Sequence, residues 1–178
     1  MQRRDVLKTA LAAPLLGGWW PALVAAAEGA AATPFNAETV VQLARALASS
    51  AYVPPDTTLP AALAGANYDQ YRDFRYRPDK ALWRDLPGVA FQAQFFHRGF
   101  LFKPRVEMHV VEGDVARELP FSTSLFDYSP NPTPALDDAT GFAGFRLHAP
   151  LNSRDYFDEL CVFLGASYFR AVGKGLAY

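Results

Sequence analysis

The feature that most constrains the fold is a two-residue spacing of apolar side chains, which recurs in many short segments after residue 68. In the first of these segments, Phe74 and Tyr76 alternate with Arg75 and Arg77. This period is typical of a β-strand with one buried face, because successive side chains of a strand point to opposite sides. Several short strands at close spacing predict a mainly β protein built as an antiparallel β-sandwich. The predicted strands cover 71–77, 89–95, 100–110, 115–119, 141–148, 160–164 and 167–171.

Composition excludes several classes of protein. Of the 178 residues, 51% are apolar, which rules out a disordered tail, and a single cysteine rules out a disulfide scaffold. The formal net charge of -1 gives no reason to expect a nucleic-acid partner. The 14 prolines and 12 glycines predict many turns, including one at 112–114 and an exposed loop at 129–140. Cys161 lies in an apolar run and is expected to be a buried, unreactive thiol.

A short N-terminal helix is predicted before the strands. Apolar residues recur at helical spacing from Val40 to Leu47, and Asn36 is a suitable N-cap. We therefore expect a helix over 37–48. A proline opens a second short helix over 61–63.

The first 27 residues have the features of an export signal. Arg3 and Arg4 precede an apolar stretch at 9–24, and small residues end at Ala27, where cleavage is expected. The paired arginines are typical of a twin-arginine signal, which implies the twin-arginine export machinery as a partner. The alternative is a permanent membrane anchor. Because the apolar stretch is short and contains glycines and a proline, we expect no permanent span after cleavage and a mature β domain at 28–178.

Most residue patterns that carry catalytic chemistry are absent from the sequence. His97, His109 and His148 have no further histidine or cysteine at metal-ligand spacing, so we expect surface or hydrogen-bonding histidines and no metal site. No glycine-rich phosphate loop precedes a helix, and no serine lies in a nucleophile elbow. No cofactor is expected.

Carboxylates offer a more interesting hypothesis, because sugar hydrolysis requires one acid and one base. Two clusters of acidic residues occur, but spacing along a chain does not define separation across a cleft. Solvated carboxylates in turns are the favoured interpretation for all five residues. They are Asp69, Asp73, Asp155, Asp158 and Glu159.

An aromatic-rich segment at 68–83 contains side chains of the kind that stack on sugar rings. Tyr71 and Trp83 are the candidate sugar-binding residues in this segment. Aromatic residues at a period of two more often belong to the core or to cross-strand pairs, so a core position is the favoured interpretation.

Several motifs resemble those of the periplasmic glucan biosynthesis family, MdoG/OpgG and its paralogue OpgD. The motifs are Gln94–His97, Gly141–Arg146 and Phe163–Val172, and Tyr68 and Lys80–Trp83 match in order and spacing. The twin-arginine pair favours the OpgD branch, since OpgG proteins typically use the general secretory route.

The resemblance implies a periplasmic protein that acts in the biosynthesis of osmoregulated periplasmic glucans, whose glucose backbone is β-1,2-linked. It also implies a sandwich similar to the galactose mutarotase-like supersandwich. Some family members are similar to inverting β-1,2-glucan hydrolases. One hypothesis is therefore control of backbone structure or length, by hydrolysis in the full-length protein. The alternative is a non-catalytic glucan-binding or assembly factor.

Family proteins continue well past the Phe163–Val172 motif, which implies that this chain is the N-terminal part of a longer protein and that its sandwich is incomplete. The catalytic carboxylates are then expected beyond Tyr178, and no residue here receives a catalytic role. Tyr71, Trp83 and Arg170 are the candidate contacts to the β-glucan polysaccharide. Arg170 is the charged residue of an apolar segment. For it, an ion pair with a core carboxylate is slightly favoured over a place in the glucan cleft.

Overall fold

The computed structural model describes residues 31–176, and within that range it shows a mainly β protein with three short α-helices in its first part. The helices are α1 (Ala37–Ala48), α2 (Ala61–Ala64) and α3 (Tyr68–Arg72), and 3-10 helices cover Pro78–Lys80, Thr123–Leu125 and Asp138–Thr140. The strands are β1 (Ala32–Pro34), β2 (Arg75–Tyr76), β3 (Gln92–His97), β4 (His109–Glu112), β5 (Val115–Glu118), β6 (Phe126–Asp127), β7 (Phe142–Ala149), β8 (Asp158–Leu164) and β9 (Tyr168–Ala171).

The strands form antiparallel sheets, which confirms the predicted fold class. A four-stranded sheet has the order β3-β7-β8-β9, a three-stranded sheet has the order β1-β5-β4, and β2 pairs with β6. The last two strand connections of the large sheet are hairpins between neighbours in sequence. β3 and β7 are far apart in the chain and pair along the full length of β3.

The hydrophobic core lies where the three sheets meet, and each sheet contributes side chains to it. Phe142 at the start of β7 is 1% exposed, and its ring centroid lies 4.9 Å from that of Phe95 on β3. Full burial of one such side chain contributes about 1.5–3 kcal/mol. The core residues are Tyr76, Leu82, Ala93, Phe95, Met108, Val110, Leu119, Phe121, Leu125, Phe126, Tyr128 and Phe142.

The two predicted helices and the hairpin are confirmed. The first helix, α1, has the predicted bounds, and Asn36 and Thr39 form a reciprocal capping box at its start. The second, α2, runs one residue further than predicted, to Ala64. The turn at Gly113 joins β4 to β5 as expected. Among the helices of residues 31–176, none is long and apolar enough to cross a membrane.

The prediction of one strand over 71–77 is wrong. Helix α3 occupies the first part of this segment, because Asn67 and Gln70 form a second capping box that begins a helix. Only Arg75 and Tyr76 are extended, as β2. The alternating pattern therefore applies to two residues and not to seven.

The strand predicted over 100–110 is also wrong in most of its length. The backbone turns tightly between Gly99 and Phe102, with Phe100 at a φ of 49°, and Pro104 follows. A strand begins only at His109, since proline cannot donate to a sheet ladder and a positive φ interrupts an extended chain.

The strand predicted over 89–95 is shifted towards its C-terminal end. β3 begins at Gln92, and Val89 and Phe91 lie outside it with 40% and 43% of their surface exposed. Gln94, which the alternation places on a polar face, is only 5% exposed. Its amide oxygen accepts a hydrogen bond from the Arg146 guanidinium on β7, which offsets the cost of burying this polar group.

Two glycines of the large sheet occupy positions where the backbone leaves no room for, or strongly disfavours, another residue. A Cβ atom at Gly144 on β7 would lie 2.1 Å from the backbone oxygen of Phe163 on β8, so no other residue fits there without a backbone shift. Gly165 has a φ of 62° in the tight turn between β8 and β9.

Candidate functional site

A cleft with a volume of about 810 Å³ lies beside the β2–β6 pair. We call it the arginine cleft, because three arginines from two segments line it. Its lining residues are Arg75, Tyr76, Arg77, Pro78, Asp79, Phe126, Asp127, Tyr128, Ser129, Asn131, Thr133 and Arg146.

One wall of the cleft follows from the pairing of β2 with β6. Arg75 pairs with Asp127, and Tyr76 pairs with Phe126. Because side chains alternate along a strand, Tyr76 and Phe126 are buried in the core while Arg75 and Asp127 are exposed. Ser129 connects them, since Arg75 Nη2 donates to its carbonyl oxygen at 3.2 Å and its backbone N–H donates to Asp127 Oδ1 at 2.9 Å.

A second arginine in the cleft is held by its own carboxylate. Arg77 Nε donates to Asp79 Oδ1 at 3.3 Å, and Arg77 Nη2 donates to Asp79 Oδ2 at 3.2 Å. These hydrogen bonds lower the pKa of the Asp79 carboxyl. Asp79 is therefore an ionised hydrogen-bond acceptor at neutral pH.

Tyr128 joins the cleft to the core through His97. The Tyr128 hydroxyl lies 2.9 Å from His97 Nε2, and His97 Nδ1 lies 2.6 Å from the carbonyl oxygen of Arg98. A carbonyl only accepts, so Nδ1 carries the proton and Nε2 accepts from the hydroxyl. Burial lowers the pKa of His97 to about 4, and the imidazole is neutral at pH 7.

Arg146 enters the cleft from β7 in the large sheet. Its Nη2 donates to Gln94 Oε1 at 2.7 Å, and its Nη1 donates to Glu159 Oε2 at 3.3 Å. The guanidinium carbon also lies 5.6 Å from the centroid of the Phe96 ring. The side chain is 29% exposed, so part of the guanidinium remains accessible.

Asn131 contributes an amide to the same cleft. Its backbone N–H donates to the carbonyl oxygen of Tyr128 at 2.8 Å, which fixes the loop after β6. Its side-chain nitrogen Nδ2 is buried and has no hydrogen-bond partner among the described residues. A ligand that supplies an acceptor to this buried amide binds more tightly, because the hydrogen bond removes the cost of an unpaired donor.

The arginine cleft combines several donors, two carboxylate acceptors and aromatic edges. Ligand sites commonly have such a composition, in which apolar walls hold a few well-placed polar groups. Hydroxyl groups both donate and accept, so a polyhydroxylated ligand matches this mixture. Within residues 31–176, no group of three or more His, Cys, Asp or Glu side chains is placed to hold a metal ion.

Comparison with known proteins identifies the family. The family model described as "Periplasmic glucan biosynthesis protein, MdoG" matches residues 35–178. The chain belongs to this family. The resemblance stated from the motifs is therefore confirmed.

Curated relatives with the name "Glucans biosynthesis protein G" match the chain closely. One from Rhodopseudomonas palustris (strain BisA53) is 48% identical over 180 residues, which cover all of this chain and 35% of the relative. One from Bradyrhizobium diazoefficiens is 45% identical over 178 residues, again 35% of its length. One from Shewanella baltica (strain OS155) is 49% identical over 145 residues, 81% of this chain and 27% of the relative. The chain thus spans about a third of the length of the first two relatives, and the assignment to the OpgD branch stays a prediction.

In this MdoG family chain, Tyr71 lies outside the lining of the arginine cleft. Its hydroxyl donates to the carbonyl oxygen of His97 at 3.0 Å, and its ring lies 5.9 Å from that of Phe102 and 6.2 Å from that of Phe74. Burial raises the pKa of the Tyr71 hydroxyl. These contacts agree with the core interpretation that the sequence favoured.

Trp83 and Arg170 also lie outside the cleft lining. Trp83 is half-buried, packs against the hydrophobic core and has a φ of 65°. Arg170 forms an ion pair with Glu159, which agrees with the interpretation that the sequence slightly favoured. Since Glu159 also contacts Arg146, Arg170 is connected to the cleft indirectly.

One interpretation of the acidic residues is wrong. Glu159 is not a solvated turn carboxylate, because it lies on β8 with a side chain only 18% exposed and two arginine partners. Asp158 also lies on β8 and is half-buried, so it is not a solvated turn carboxylate either, whereas Asp69 and Asp155 are exposed, as expected. The predicted signal residues Arg3, Arg4 and Ala27 lie outside the described residues.

The histidine interpretation is confirmed and the cysteine interpretation is partly wrong. His97 and His148 are hydrogen-bonded and His109 is exposed. Cys161 is half-buried instead of fully buried, although burial still raises the pKa of its thiol.

Sequence motifs do not distinguish the candidate residues that the fold brings together in the cleft. Arg75, Asn131 and Arg146 were not singled out, although Arg146 ends one of the family motifs. A charged residue inside an otherwise apolar strand is the signal that marks Arg146, as it marks Arg170.

Proposed function

We propose that this protein acts in the biosynthesis of periplasmic glucans and that it is located in the periplasm. The observation that carries this proposal is the family match over residues 35–178. Relatives named for glucan biosynthesis, at 45% to 49% identity over most or all of the chain, support it.

The substrate in this proposal is the β-1,2-linked glucose backbone of osmoregulated periplasmic glucans, and the arginine cleft is its binding site. The guanidinium groups of Arg75 and Arg146 and the amide of Asn131 donate to sugar hydroxyls, and Asp127 accepts from them. Tyr76 and Tyr128 also line the cleft, but each is only 3% exposed, so polar groups supply most of the proposed contacts.

In the full-length protein, the proposed activity is control of backbone structure or length by hydrolysis. The low pKa of Asp79 makes this carboxylate an acceptor and unsuitable as a general acid. As the family resemblance implies, we place the catalytic acid and base in the portion of the relatives that this chain does not cover.

The alternative is a non-catalytic glucan-binding or assembly factor. It is favoured by the predominance of hydrogen-bond donors in the cleft and by the engagement of Asp79 and Asp127 with neighbouring groups. The two hypotheses share the binding site and differ in whether a glycosidic bond is broken.

A combined binding and cleavage assay tests both hypotheses. The natural full-length protein is titrated calorimetrically with linear β-1,2-linked glucose oligosaccharides, and new reducing ends are measured in the same samples. Saturable binding with new reducing ends supports the hydrolase, and binding without them supports the assembly factor. Wild-type protein that neither binds nor cleaves the oligosaccharides refutes both. Asn131→Ala should weaken binding, while Arg45→Ala on α1 is the matched surface control.

Export by the twin-arginine route completes the proposal. Replacing Arg3 and Arg4 together with lysine should retain the protein in the cytoplasm, since the paired arginines are the recognised signal. Intact mass of the periplasmic protein should show a new N-terminus close to Ala27. An unchanged periplasmic fraction in the double variant would exclude this route.

A further inference from the structure

A row of mainly polar residues crosses one face of the large sheet and includes Arg146 of the arginine cleft. Gln94 on β3 pairs with Arg146 on β7, Arg146 pairs with Val162 on β8, and Val162 pairs with Arg170 on β9. Side chains of directly paired residues lie on the same face of a sheet. A register shift between Leu147 and His148 then brings Glu159 into reach of both arginines.

Arg146 is restrained at three points along this line. Gln94 accepts from Nη2 at 2.7 Å, Glu159 accepts from Nη1 at 3.3 Å, and the Phe96 ring lies beneath the guanidinium carbon at 5.6 Å. Gln94 is 5% exposed and therefore has little freedom to move away. The second oxygen of Glu159 accepts from Arg170 Nη2, which holds the carboxylate in turn.

This arrangement removes rotamer freedom from Arg146 before any ligand arrives. An arginine side chain otherwise loses considerable conformational entropy when it binds, and restraint by neighbours lowers that cost. The guanidinium carries five N–H groups. Among residues 31–176, Gln94 and Glu159 accept from two of these groups, and the side chain lines the cleft.

We propose that Arg146 is a ligand-binding residue of the arginine cleft, that it donates to hydroxyl oxygens of a sugar, and that Glu159 is its positioning residue. The proposal rests on the proposed function, because it takes the glucan as the ligand. In this proposal, Glu159 is a structural charge partner of Arg146 and makes no contact with the sugar.

A double-mutant cycle separates this role from a purely structural one. The natural full-length protein and its variants are titrated calorimetrically with a β-1,2-linked glucose oligosaccharide. Arg146→Ala should reduce affinity about tenfold, the effect of losing a charge-assisted hydrogen bond. Glu159→Gln should reduce it by a smaller factor. The double variant should bind no more weakly than Arg146→Ala, because Glu159 acts only through Arg146.

The controls keep the test decisive. Asp158→Asn removes a neighbouring carboxylate of β8 that bonds to the backbone of Asn152, and its affinity should match wild type. Urea midpoints of every variant show whether each is folded, and Arg146→Lys replaces Arg146→Ala if the latter is not. Lysine keeps the charge but lacks the fork, so Arg146→Lys should also bind more weakly.

Three outcomes distinguish the two proposals. Wild-type protein without oligosaccharide binding refutes the proposed function, and this inference with it. Binding by wild type that is unchanged in the folded Arg146 variants refutes only the inference. Multiplicative losses in the double variant refute the positioning role of Glu159, since they show that it acts independently of Arg146.

Discussion

Acidification should destabilise the fold through His97. This side chain is 1% exposed and donates from Nδ1 to a backbone carbonyl, while Nε2 accepts from the Tyr128 hydroxyl. Protonation would turn Nε2 into a second donor facing that hydroxyl and would place a charge among the rings of Phe121 and Phe126. Burial therefore lowers the pKa of His97 from 6.5 to about 4.

The size of the effect follows from the difference in proton binding. Because the folded-state pKa lies below the unfolded one, the unfolded chain binds the extra proton between pH 6.5 and about 4. The contribution of His97 to the free energy of unfolding is fully present above pH 6.5 and is lost as the pH falls through this window. A shift of this size corresponds to about 3 kcal/mol, of which about 2 kcal/mol is lost between pH 7.5 and 5.0.

Urea denaturation at pH 7.5, 6.5, 5.5 and 5.0, followed by far-UV circular dichroism, measures this dependence. His97→Gln should start from a lower stability but lose much less of it over the same pH range, since glutamine does not titrate. His148→Gln is the matched control: burial also lowers the pKa of His148, but this residue is less buried, so most of the slope should remain. An equal slope in wild type and His97→Gln would refute the reasoning.

Three further predictions concern the packing around the site. Gly144→Ala should lower the free energy of unfolding by about 3 kcal/mol or more, because the added Cβ would lie 2.1 Å from a backbone oxygen. Gly173→Ala should leave the thermal midpoint nearly unchanged, because the nearest neighbour of its Cβ would lie at 3.6 Å. Arg98→Ala should speed protease cleavage around Thr58, because the 6%-exposed guanidinium donates to the carbonyl oxygens of Thr58, Lys103 and Thr140; equal cleavage rates would contradict this role. Tyr71→Phe should lower the free energy of unfolding by about 1 kcal/mol and leave oligosaccharide affinity unchanged, as calorimetry would show, because Tyr71 lies outside the cleft lining.

The C-terminal strands could be predicted from the sequence because each carries its own signal. β7, β8 and β9 are rich in apolar residues, and the glycines at 144 and 165 mark the close approach and the turn between them. α3 was missed for a different reason. The Asn67 capping signal competed with an alternating pattern over the same residues, and the local hydrogen bonds of the cap determined the structure.

The arginine cleft could not be predicted from the sequence, because its parts are far apart in the chain. Arg75, Asp127 and Arg146 become neighbours only through the pairing of β2 with β6 and of β3 with β7. No short spacing encodes those pairings. The candidates chosen from local composition, Tyr71 and Trp83, have packing contacts instead.

Burial along one row of the large sheet also depends on contacts that the local sequence does not encode. Phe95, Phe145, Phe163 and Phe169 are paired in register from β3 to β9 and therefore share a face. Phe95 is 4% exposed, but Phe163 is 40% and Phe169 is 59% exposed. The alternating pattern determines which face a side chain occupies, and it contains no information about what covers that face. The β2–β6 pair covers the row at Phe95, where Tyr76 packs on its ring at 5.6 Å. Core positions can thus be assigned to a face from the sequence, while their burial depends on the arrangement of the other sheets.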